Sequence, residues 1–180
     1  MEQLAIIELD IKKLMRDNLV WTIVLVFLFV PLNLILQSHS WDWSIFFVIK
    51  QISLFCIYYV LLIVLHEAFH LIGFILFGKV PLKSLSYGIK FDQGLAYATT
   101  TELLTNRAMK ASLLLPFWVT GVLPTVVGFY VNSNMLILVG AFLMAGAVGD
   151  FMMYKELRKY PNHYFIKDDP QQPKLYVYKR

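Results

Sequence analysis

Four apolar runs constrain this chain more than any other feature: residues 19–36, a run from about 45 or 52 to 77, 111–131 and 135–154. Each is long enough to cross a hydrocarbon layer of roughly 30 Å as a helix, with some tilt or thinning for the shortest. Lipid offers backbone N–H and C=O groups no partner, so a spanning segment must satisfy them internally, and uninterrupted apolar runs of this length do so as helices. With 58% hydrophobic and only 16% charged residues, and a mean hydropathy of +0.62, the composition is that of an integral membrane protein. One membrane-embedded domain is expected over residues 1–160, with a short cytosolic tail at 161–180. The single cysteine, Cys56, lies within an apolar run and has no intramolecular partner.

The first run follows Lys12, Lys13 and Arg16, exceeds a usual signal-peptide core and precedes no small-x-small cleavage site. It reads as a retained span, kinked at Pro31. Trp41 and Trp43 then fit an interfacial aromatic belt. In the second run, Lys50 and Gln51 reach back to the outer surface, and Gly78-Lys79-Val80-Pro81 ends the helix. The period then changes. Leu85, Tyr87, Ile89 and Phe91 alternate with Ser84, Ser86, Gly88 and Lys90, a strand pattern, and a turn at Asp92-Gln93-Gly94 leads to a return strand from Leu95 to Thr100. Pro116, Gly121 and Pro124 interrupt the third run, which predicts a broken span packed against protein. Gly140, Ala141, Ala145, Gly146, Ala147 and Gly149 give the fourth run a face that another helix can approach closely. The expected fold is an α-helical integral membrane protein with about four transmembrane helices and a short cytosolic-side β-hairpin after the second.

Charge sets the expected orientation. Four spans with both termini inside place every Lys and Arg but Lys50, out of 16, on the cytosolic side. The expected location is a bacterial-type cell membrane, crossed several times. The pI of about 9.1 then reflects attraction to anionic lipid heads and not nucleic-acid binding.

Inside the second run stands His66-Glu67-Ala68-Phe69-His70. Residues four apart share a helix face, so the two imidazoles can bind one metal ion while Glu67 reaches a water on it. Chance produces this pattern in about 0.002 shuffled chains of the same composition. The bland alternative is a pair of helix histidines bonded to nearby backbone, with Glu67 as a buried ion partner. An apolar setting makes that costly, and ionisable groups within a membrane mark function by default.

A zinc hydrolase site needs a third protein ligand and leaves the fourth position to water. Asp150 is the candidate. At 1.5 Å per residue it lies roughly 22 Å in from Met135, while His66 and His70 lie roughly 21 and 27 Å in from Ile52, so the two spans bring them to one level. The competing reading makes Asp150 an acid reaching the cytosolic headgroups beside Lys155 and Arg158. His39 and His163 read as surface histidines, and Asp92 and Glu102 fall in polar segments.

These pieces together resemble the intramembrane zinc metalloproteases of the site-2 protease type, and within them a small bacterial branch of zincin peptidases. The resemblance runs from about Tyr58 to Phe151. It rests on His-Glu-Ala-Phe-His late in a span, the strand-rich segment after it, the Leu115-Pro116-Phe117 and Leu123-Pro124 pieces, and an acid on a later span. It implies His66, His70 and Asp150 as zinc ligands and Glu67 as general base. Typical members carry an Asp followed by Gly, often preceded by Asn-Pro; here Gly149 precedes Asp150 and Phe151 follows it.

The chemistry expected is hydrolysis of peptide bonds in membrane-embedded or membrane-proximal substrates, with the segment from residue 84 to 99 either capturing an extended peptide along a strand edge or only capping the bundle. Two other classes stay open: a non-catalytic membrane adaptor or chaperone of the same fold, and a small membrane transport protein using Glu67 and Asp150 as a polar pathway. Substrate identity, regulation by a prior cleavage and oligomeric state have no sequence signal.

Overall fold

The apolar runs form four helices long and apolar enough to cross a membrane: Ile11–Leu36, Ile45–Gly78, Asn106–Tyr130 and Asn134–Leu157. A computed structural model gives this architecture for residues 1–36, 44–90, 95–170 and 172–179. The expected turn at 92–94, the aromatic pair Trp41 and Trp43, and His39 lie outside the described residues. In chain order the elements are β1 (Glu2–Glu8), α1 (Ile11–Leu36), α2 (Ile45–Gly78), β2 (Leu85–Lys90), β3 (Leu95–Thr100), β4 (Leu104–Thr105) and α3 (Asn106–Pro116). A π-helical segment (Phe117–Val122), α4 (Leu123–Tyr130), α5 (Asn134–Gly146), α6 (Val148–Leu157), β5 (Phe165–Asp168) and β6 (Lys174–Lys179) follow.

Local chemistry explains the boundaries. Ser44, Thr105 and Ser133 cap α2, α3 and α5 by accepting from the backbone N–H three residues on. The end of α2 is a left-handed residue, Lys79 at φ 55°, whose N–H returns to the Ile75 and Phe74 carbonyls. Pro31 sits within α1 without ending it. The third span is broken as expected: α3 ends at Pro116, and a π-helical turn carries the chain into α4 with its own Pro124. The fourth span has an unforeseen break at Ala147, so Asp150 lies in the first turn of a new helix, α6.

The spans differ in how much protein covers them. Only 6% of the apolar window of α1 is buried, against 39% for the third and fourth spans, so α1 stands at the periphery with its side chains free for lipid. Gly140 marks the tight centre: a Cβ there would lie 2.2 Å from the Thr125 hydroxyl, so α5 meets α4 backbone to backbone.

Two antiparallel sheets adjoin the helices. One is the expected hairpin, with Leu85 opposite Thr100 and Lys90 opposite Leu95. The other was not foreseen: β1 at the N-terminus pairs with β6 near the C-terminus, in a four-stranded order β1-β6-β5-β4. Ile7, Ile166, Leu175 and Val177 from this sheet pack with Phe74, Met109 and Leu157 into a buried core at the ends of α2, α3 and α6. Asn106 fastens it: its Nδ2 donates to the carbonyls of Leu157, Tyr160 and Pro161 as the chain leaves α6. Residues after 160, expected as a tail, thus supply two strands that roof the helix ends.

Candidate metal centre

α2 turns His66 and His70 inward, each 7% exposed, and holds Glu67 half-buried beside them. Ligand atoms of these three residues lie within 4.8 Å of one another. Across from them, the break at Ala147 points Asp150 into the bundle. Its Oδ2 is 3.2 Å from His66 Nε2 and its Oδ1 is 3.4 Å from His70 Nε2. The structure therefore brings together all four residues singled out in the sequence. His163, exposed in the tail, and Glu102, exposed beside β3, are not part of this cluster, and Asp92 lies outside the described residues.

The other ring nitrogens are engaged outside the cluster. His70 Nδ1 lies 3.1 Å from the Ser112 carbonyl oxygen, which can only accept, so this nitrogen carries the proton. His66 Nδ1 lies 3.1 Å from the Thr120 hydroxyl. That hydroxyl gives its one proton to the Pro116 carbonyl at 2.9 Å, so it accepts from His66. With both Nδ1 atoms donating away from the cluster, both Nε2 atoms face the Asp150 carboxylate, an arrangement that a cation completes: a metal ion held by all three groups, or a proton that turns an Nε2 contact into an ion pair.

The spacing is compatible with zinc. Ligand atoms 2.0–2.2 Å from a tetrahedral ion stand about 3.3 to 3.6 Å apart, and each imidazole Nε2 lies at 3.2 or 3.4 Å from one oxygen of the Asp150 carboxylate. Two imidazoles and one carboxylate are a familiar donor set for this ion and leave one position to water. Close approach of α3 makes the arrangement possible. A Cβ at Gly73, one turn beyond His70, would lie 2.8 Å from Ser112 Cα.

Over 59–165, more than half of the chain, the sequence matches the model of a family described as "Putative zincin peptidase". The chain belongs to this zincin peptidase family. The matched stretch contains His66, Glu67, His70 and Asp150. The family implies a zinc metallopeptidase, and the four long apolar helices make this member a multi-pass membrane protein. No curated protein and no solved structure matches the chain.

A cavity of about 370 Å³ opens onto the cluster, with His66, Glu67, His70 and Asp150 on one side and Thr99 of β3 and Asp168 of β5 on another. Asp168 escaped the sequence reading. Burial pushes its carboxyl up to about 7, against a weaker opposing effect from the Thr99 hydroxyl. Ser112 and Thr120 also escaped it. A serine whose contribution is its main-chain carbonyl carries no side-chain signal, and one threonine in an apolar span looks like any other.

Proposed function

We propose that this protein is an intramembrane zinc metalloendopeptidase of the site-2 protease type, hydrolysing peptide bonds of membrane-embedded or membrane-proximal substrates. The observation that carries the reading is the convergence of His66 Nε2, His70 Nε2 and the Asp150 carboxylate, with Glu67 beside them, inside a bundle of four apolar helices. His66, His70 and Asp150 would hold the ion. Bound zinc would lower the pKa of a coordinated water from 15.7 to about 7 and polarise the scissile carbonyl.

Glu67 accepts the proton of the attacking water and delivers one to the leaving amine, base first and acid second. Asp150 keeps both imidazoles oriented, and the two Nδ1 hydrogen bonds fix their rotation. A transmembrane helix hides its amides in its own hydrogen bonds, so cleavage needs a locally extended chain. The two-stranded sheet leaves each strand with one edge outside the ladder, and β3 lines the cavity with residues 96–99, which suits capture of an extended peptide. Tyr87 and Ile89 of β2 stand 77% and 59% exposed, apolar surface that fits a hairpin at the membrane boundary. The distribution of Lys and Arg favours cytosolic termini and a site near the cytosolic face.

The test is a library of transmembrane peptides reconstituted in liposomes with the zinc-loaded protein and read by mass spectrometry. New termini within or at the edge of the apolar stretch are expected. Cleavage of soluble peptides alone, with embedded ones untouched, would overturn the intramembrane reading and leave the peptidase.

A further inference from the structure

The two acceptors that hold the Nδ1 protons share one origin. In an α-helix the carbonyl of residue 112 accepts from the N–H of residue 116. Residue 116 is proline and has none. The Ser112 carbonyl is therefore left without its ordinary partner, and His70 Nδ1 occupies it at 3.1 Å. The serine's own hydroxyl does not compete, since it donates to the Ala108 carbonyl at 3.0 Å. One turn on, the Pro116 carbonyl takes the Thr120 hydroxyl proton at 2.9 Å, which leaves that oxygen to accept from His66 Nδ1 at 3.1 Å. The π-helical turn that begins immediately after Pro116 contains Thr120, buried at 1% exposure.

We infer that Pro116 is a positioning residue for the metal centre: by lacking an N–H and by accepting from Thr120, it fixes both histidines with Nδ1 protonated and Nε2 free to bind a cation. Pro31 serves no such purpose. It sits in peripheral α1, and the carbonyl it frees, that of Phe27, belongs to a residue 74% exposed. In a membrane helix a neighbouring group can satisfy the carbonyl that proline frees; at Pro116 that neighbour is His70.

The inference rests on the zinc reading, and the experiment separates the two. In full-length, detergent-purified protein, zinc affinity is measured by competition with a chromophoric chelator, and the histidine tautomers of the metal-free protein by ¹⁵N NMR. Pro116→Ala restores an N–H that competes for the Ser112 carbonyl. Its zinc affinity should fall ten- to a hundredfold, and His70 should shift toward the Nε2-protonated tautomer. Pro31→Ala should match wild type in both. Affinity within twofold of wild type and an unshifted tautomer in Pro116→Ala would overturn the proposal. If that variant fails to fold, the Thr120 pair decides: Thr120→Val should lose affinity and Thr120→Ser should regain it, and equal affinities for both would overturn the proposal equally. Wild-type protein that binds no zinc would instead sink the metal reading itself.

Discussion

Two polar clusters interrupt the apolar bundle, and they are built on opposite principles. In one, Asn33 of α1, fully buried, donates its Nδ2 to Asn134 Oδ1 at 2.9 Å and to Asn132 Oδ1 at 3.4 Å. The Nδ2 donor meets its acceptors, while Asn33 Oδ1 has no partner among the described residues; no charge is involved, and the contact ties the peripheral helix to the turn before α5. In the other, the Nε2 atoms of His66 and His70 face the Asp150 carboxylate, with both Nδ1 donors engaged behind them by Thr120 and Ser112. The first cluster serves packing as neutral groups. The second is completed by a cation, either a proton on an Nε2 or a metal ion held by all three side chains. Polar groups in a membrane bundle therefore divide by whether they pair as neutral amides or converge on a cation, a distinction that composition and burial do not show.

The largest effect should come from breaking the second cluster. Asp150→Asn and Asp150→Ala remove the only anionic group of the proposed ligand set, so zinc binding should weaken by more than the tenfold to hundredfold typical of supporting groups, and cleavage should be lost. Glu156→Ala, which changes an acid six residues further along α6, should keep zinc occupancy and cleavage near wild type. Asp150 variants that bind zinc and cleave normally would make this residue an interfacial acid.

The first cluster should answer differently. Asn33→Ala should lower stability by about 1 kcal/mol, read as a fall in the detergent melting temperature, while zinc affinity and turnover stay unchanged. A loss of zinc in Asn33→Ala would erase the contrast between the two clusters.

A pH-dependent effect sharpens the comparison at the roof of the cavity. Burial pushes the Asp168 carboxyl up to about 7 in the folded protein, against about 4 in an unfolded chain. The folded state binds its proton more tightly, so this group's contribution to stability falls as pH rises from about 4 to about 7. Asp168→Asn abolishes that dependence. Its melting temperature should exceed that of wild type at pH 8 and converge with it at pH 4; equal gaps at both values would show that the carboxyl is not held protonated by burial.

Much of this was legible in the residues. The four spans, the break around Pro116, the hairpin after α2 and the inward pair at 66 and 70 follow from hydropathy, proline chemistry and helical period. Matching depths along two helices also placed Asp150 at the level of the histidines. What was hidden had no side-chain signature or depended on long-range pairing. The β1–β6 ladder joins the two ends of the chain, and no local pattern in Glu2–Glu8 names its partner. The Ser112 carbonyl is main chain, visible only once Pro116 is read as an absent donor four residues on. Asp168 looked like a tail acid because the strands that carry it over the cavity were not foreseen.

The most direct test of the central claim is zinc content and peptide cleavage measured side by side in wild type and Glu67→Gln. The substitution keeps both imidazoles and Asp150 but removes the proton acceptor. The account predicts stoichiometric zinc in both proteins, product from wild type and none from Glu67→Gln. A variant that turns over at the wild-type rate, or a wild type that holds no zinc under conditions that retain bound metal, would contradict it.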